Sequence, residues 1–184
     1  MRQILAIALL AALTPASGWA QGAAPRAAEG PLAPFAWMDG RWRGEARFLT
    51  ERGFETFTQT ERSGEMLGGR IRVVEGKGYD ATGAVAFNAF GIIAPAEGGG
   101  YEMRSWTLER AGSFPVKVDG TTVSWEFPAG PGAIVRYEAG LVDGKWVEVG
   151  HRLVEGRPPL EIMRMELTRI GDNDWPAAGG VEAK

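Results

Sequence analysis

Cysteine is absent from this chain, and histidine occurs once, at His151. Those two shortages exclude disulfides, thiol nucleophiles and zinc sites built from Cys and His clusters. With Gln at position 21 and no Cys anywhere, a lipid-modified N-terminus is excluded as well. The folded domain must hold itself together by packing alone. Runs of like charge are also missing: 20 basic and 23 acidic residues are scattered along the 184, with no basic cluster. Neither nucleic acid nor an anionic membrane surface is therefore an expected partner. Long apolar stretches are lacking too. Ile4–Leu13 is a run of ten, too short to span the ~30 Å of a bilayer's hydrocarbon. Helical periodicity is confined to a single turn at Pro34–Met38.

What is present points to one domain with an address outside the cytoplasm. A chain that is 45% hydrophobic and 23% charged is ordinary for a soluble globular domain, and seven Trp and eight Phe supply a core. The Ile4–Leu13 run follows Arg2 and precedes Pro15 and Gly18-Trp19-Ala20, small residues at the −3 and −1 positions of a cleavage site. Residues 1–20 therefore read as a cleaved secretory signal, and the mature protein is expected in the periplasm or secreted. Residues 21–34, mostly Ala, Gly and Pro, read as a flexible linker. The folded domain is expected over 35–170. Residues 171–184 read as a tail, in which Trp175 is the side chain able to dock back.

Between recurrent turn signals the pattern has period two. Trp42, Gly44, Ala46 and Phe48 alternate with Arg43, Glu45 and Arg47; Met163, Met165 and Leu167 alternate with Arg164 and Glu166. Asp119-Gly120 and Asp143-Gly144 are hairpin turns by type, because both central positions of such turns need positive φ. About ten strands joined by short turns predict an all-β, antiparallel up-and-down barrel, since closure removes exposed edges. A short N-terminal 3-10 plug is expected before the first strand. An inner face mixing Gly, Ala and Thr with Trp, Met and Tyr predicts an incompletely filled lumen.

The opening motif, Asp39-Gly40-Arg41-Trp42-Arg43-Gly44-Glu45-Ala46, resembles that of the calycin superfamily: lipocalins, fatty-acid-binding proteins and nitrobindin-like barrels. In lipocalins a Gly-x-Trp on the first strand packs beneath a 3-10 plug, and Gly40 and Trp42 stand where that pattern falls. Nitrobindin-like barrels carry Gly-x-Trp-x-Gly-x-Gly; here Ala46 replaces the last Gly. Leu67-Gly68-Gly69 and Gly78-Tyr79-Asp80 resemble, in order and spacing, marks of the bacterial domain-of-unknown-function family 1579. That resemblance implies a barrel fold and no established chemistry.

Several side chains are candidates for a site. His151 alternates with Glu148 and Arg152 on the face of Val147, Val149 and Leu153. It reads either as a packed core histidine or as an axial haem ligand, which nitrobindin-like barrels take from a histidine late in the chain. Tyr101, Met103, Met163 and Met165 would line an adaptable apolar pocket or simply fill the core. An Arg in the lumen would recognise a carboxylate; Arg136 and Arg164 fall on polar faces, while Arg104 shares a side with Trp106. Glu45, Glu61, Glu138 and Glu148 all sit on polar faces, and their spacing predicts no catalytic pair. No Ser lies in a nucleophile-elbow context. The function expected is binding of a small apolar ligand inside an exported barrel, with no cofactor or metal and no membrane insertion. The alternatives are a barrel-interior enzyme or haem protein using His151, and a filled barrel with a structural or protein-binding role.

Overall fold

The computed structural model describes residues 30–175, so the expected signal at 1–20, the linker up to residue 29 and the tail from residue 176 lie outside the described residues. A 3-10 helix, Ala33–Met38, leads into ten strands: β1 (Gly40–Thr50), β2 (Gly53–Met66), β3 (Ile71–Tyr79), β4 (Val85–Pro95), β5 (Tyr101–Thr107), β6 (Ala111–Asp119), β7 (Thr122–Pro128), β8 (Ala133–Val142), β9 (Lys145–Val154) and β10 (Leu160–Gly171). Each strand pairs antiparallel with its neighbours in sequence, and β1 pairs with β10 to close the barrel. The all-β up-and-down barrel with its 3-10 plug is thus the observed architecture.

Local chemistry explains the tight turns. Asp143 and Gly144 adopt φ of 50° and 76°, the left-handed pair that joins β8 and β9 in two residues. Leu67, Gly68 and Gly69 take φ of 54°, 65° and 82°, so the β2–β3 turn is left-handed through three residues. The Asp80 carboxylate caps the β3–β4 loop by accepting the N–H groups of Thr82 (2.8 Å) and Ala84 (3.0 Å). The turn at Leu108, Glu109 and Arg110 carries no Gly or Pro. It is held by Thr107, whose N–H donates to the Arg110 carbonyl at 2.8 Å and whose hydroxyl accepts from the Arg110 N–H at 3.3 Å.

One end of the barrel is shut by the 3-10 helix. Phe35, Trp37 and Met38 are buried, and Trp42 donates its indole N–H to the Met38 carbonyl at 2.9 Å. Trp146 packs edge-on against both Trp37 and Trp42, with ring centres 5.2 and 5.8 Å apart. Leu32 is 1% exposed, and the Pro31 carbonyl accepts the Tyr101 hydroxyl at 2.9 Å. The folded domain therefore begins before Phe35, because these residues complete the floor.

A buried guanidinium locks that floor. Arg72 is 1% exposed and donates to Asp39 (3.3 Å), Ser63 (3.2 Å) and Glu65 (3.1 Å). Asn173 also donates to the Asp39 carboxylate (3.0 Å) and to the Ser63 carbonyl (2.7 Å). The Arg62 guanidinium lies 4.0 Å from the centre of the Trp175 ring. Residues 171–175 are accordingly not loose: they are docked against β2 and the floor, as anticipated for Trp175 alone.

Candidate functional site

Above the floor the barrel encloses a cavity of about 580 Å³, within the ~300–1,000 Å³ usual for small-molecule pockets. Its volume follows from the inward series of each strand. On β3 and β4 the inward positions include Val74, Gly76, Ala89 and Gly91, too small to meet across the lumen. Apolar walls come from all around the barrel, among them Phe48, Phe87, Phe114 and Val123. Trp125 and Tyr137 stack, with ring centres 5.3 Å apart and planes 10° off parallel. Thr107, Arg110 and Pro128 line the end opposite the plug.

The sequence-predicted residues divide clearly. Met103, Met163 and Met165 line the cavity. Tyr101 shares Met103's side of β5 but lies at the floor, edge-on to Phe35 at 4.8 Å. Arg104 lies on the other side of that strand, its guanidinium 5.4 Å from the centre of the Trp106 ring, and does not reach the lumen. Arg136 and Arg164 pair on the outer face with Glu126 (2.6 Å) and Glu161 (2.8 Å). Gly40, Trp42 and Gly44 build the floor and first strand; Gly68 and Gly69 belong to the β2–β3 turn, Tyr79 ends β3, and Asp80 opens the β3–β4 turn.

For His151 the expected inner face is corrected. The β9 residues that line the cavity are Trp146 and Glu148, so alternation turns His151 outward with Val147, Val149 and Leu153. Its cross-strand partners are Arg136 and Glu161, both engaged in outer-face ion pairs. The physical reason is Trp146: a large indole needed at the floor outweighs three smaller apolar groups in setting which side of β9 faces in.

The same alternation brings in two carboxyls that were expected on outer faces. Glu61 of β2 and Glu148 of β9 both line the cavity. Burial pushes the Glu61 carboxyl from 4.5 up to about 7; the bond from Gln59 opposes the rise, and the charge of Glu75 adds to it. Burial pushes Glu148 up to about 8, reinforced by the charge of Glu61. Tyr137 is raised to about 12, again by burial first and then by Glu148, with Arg110 pulling it down. Gln59 is 3% exposed and donates its amide to Glu61 at 2.7 Å, leaving its own Oε1 without a partner among the described residues. The signal available in the sequence was Phe57, on the same side of β2 as Gln59 and Glu61 and opposite Thr56, Thr58 and Thr60. Chemically, the arrangement offers an apolar chamber with two carboxyls that change protonation near neutral pH. Among the described residues no three His, Cys, Asp or Glu side chains are grouped to hold a metal ion.

No family model matches the chain. A comparison with curated proteins likewise found no match. Among solved structures 14 chains match. One is the crystal structure of Rv2717c from M. tuberculosis, with a TM-score of 0.57 and 12% sequence identity, covering 76% of this chain and 98% of that one. At that identity the likeness is one of fold alone.

Proposed function

We propose that this protein is a calycin-type barrel that binds a small, largely apolar molecule in its interior. The observation that carries this reading is the cavity of about 580 Å³, walled by aromatic and aliphatic side chains. A filled barrel with a purely structural role does not fit such a chamber. Kinship with domain family 1579 rests on Leu67-Gly68-Gly69 and Gly78-Tyr79-Asp80, and export to the periplasm or medium rests on the Met1–Ala20 segment. The outer face is studded with ion pairs, among them Arg47–Glu161, Lys77–Glu75 and Lys145–Glu166, which suits water rather than lipid. The residues present do not fit a histidine-ligated haem in the cavity, because His151 is on the outside.

A second reading, an enzyme acting inside the barrel, is favoured by one observation: Glu61 and Glu148 titrate near neutrality, where general acid–base groups work best. The test of the leading reading is binding of a neutral apolar fluorophore, N-phenyl-1-naphthylamine, to detergent-free protein, with native mass spectrometry in parallel. Saturable one-to-one enhancement at micromolar concentration, or a co-purified mass, supports it. No enhancement together with a clean apo mass overturns it.

A further inference from the structure

We infer that the molecule held in this cavity carries a protonated amine, bound at Glu61 and Glu148 with its apolar body along the barrel walls. This deepens the reading just given and rests on it. The argument starts from an imbalance of partners. Among the described residues two carboxyls line the chamber, while the one basic side chain lining it, Arg110, is exposed at the end away from the floor. Among the described residues Glu61 has a single neutral partner, the Gln59 amide. Glu148 has no side-chain hydrogen bond or ion pair with any described residue; burial and the Glu61 charge are what act on it.

An independent atom points the same way. Gln59 is buried, and its Oε1, beside the inward face of Gly78, accepts from no described residue. A buried acceptor left without a donor costs about 1–3 kcal/mol, so it marks a place where a bound group supplies one. Gln59 Oε1, Glu61 and Glu148 are all acceptors when the carboxyls ionise. An ammonium has three N–H donors and the opposite charge. A hard divalent metal is the wrong cation, since it needs ~6 oxygen ligands, and the remaining walls are hydrocarbon and aromatic. The stacked Trp125–Tyr137 pair gives an organic cation a further favourable surface.

At neutral pH the empty site holds Glu148 largely and Glu61 about half protonated, so an arriving ammonium displaces protons. Gln59 from β2 and Glu75 from β3 act on Glu61, Glu61 acts on Glu148, and Glu148 and Arg110 from the β5–β6 turn act in turn on Tyr137 of β8. Proton release on binding is therefore a signature of the amine that an uncharged ligand does not give.

The experiment compares decylamine, decanol and decanoate as probes of the full chain, by calorimetry at pH 7 in two buffers of different ionisation enthalpy. The expected result is decylamine binding about tenfold or more tightly than decanol, with proton release seen for the amine alone, as charge-assisted hydrogen bonds require. Glu61→Gln and Glu148→Gln should each reduce that preference. Decanol binding as tightly as decylamine, or decanoate preferred, overturns the amine while leaving an apolar ligand in place. Failure of all three probes overturns both. The proton-release measurement uses the unaltered protein, so a variant that does not fold still leaves the inference open to refutation.

Discussion

Arg72 reaches from β3 to the Asp39 carboxylate, 3.3 Å away, and so ties the wall of the barrel to the residue that ends its plug. The guanidinium is 1% exposed, whereas the side chains of Asp39 and Glu65 are 47% and 37% exposed. The two ends of the contact are therefore unequal. Arg72→Ala removes a buried group and its three acceptors' partner, and should cost about 3 kcal/mol in urea unfolding. Asp39→Asn leaves Arg72 still paired with Glu65 and should cost nearer 1 kcal/mol. Equal effects would mean the clasp does not bear on the floor in this way.

Gly44 has no room for a side chain. A Cβ built there would overlap the Glu166 carbonyl oxygen and lie 2.9 Å from the Leu167 Cα, both backbone atoms of the strand that closes the barrel. Gly44→Ala must push β1 away from β10 at the closing seam. A loss of about 2 kcal/mol or more is expected, with faster proteolysis of the N-terminal segment. An alanine variant of unchanged melting temperature would contradict the observed approach of the two strands.

Much of this architecture was legible because hairpin chemistry and alternation are local. Asp143-Gly144 announces its turn by residue type, and Trp42 with Gly44 announces the floor and the close strand contact beside it. The Leu108–Arg110 turn was not legible, because Thr107 does with a hydroxyl what Gly or Pro does elsewhere. The site was hidden for a different reason. Assigning polar residues to the outside holds for a filled core, but a ligand chamber places some of them inside. Glu61 and Glu148 were thus read as outer-face groups, and His151, among valines, as an inner one. Aromatic neighbours carried the better signal: Phe57 beside Glu61, and Trp146 beside Glu148, mark the inward series on both strands.

Gly91 lines the cavity from β4, and a Cβ there would meet nothing closer than the Met103 Sδ at 3.8 Å. Gly91→Leu should be tolerated by the fold while filling the lumen with a branched side chain. Affinity for N-phenyl-1-naphthylamine should fall about tenfold or more, with the unfolding midpoint unchanged or raised. His151→Ala, on the outer face, should leave probe affinity unaltered. The reverse pattern, binding lost with His151 and kept in the leucine variant, would place the ligand somewhere other than the lumen.

The two cavity carboxyls also make stability depend on pH in an unusual direction. Their folded values, about 7 for Glu61 and about 8 for Glu148, lie above the ordinary 4.5 of an unfolded chain. Between those limits the folded protein holds more protons than the unfolded one, so each proton lost on raising the pH weakens the fold. Stability should be greatest near pH 4.5 and fall through pH 8, by up to about 1.4 kcal/mol per pH unit for each carboxyl that stays protonated in the fold alone. The carboxylates held low by hydrogen bonds or ion pairs, Asp80 and Glu161, act in the opposite sense, but below pH 4.5, so they do not mask this window. Urea midpoints measured from pH 4.5 to 9 should decline for the native chain and flatten when Glu61 and Glu148 are both Gln. A native midpoint that rises over that range would show that the carboxyls ionise freely, and that the chamber is open to water where they sit.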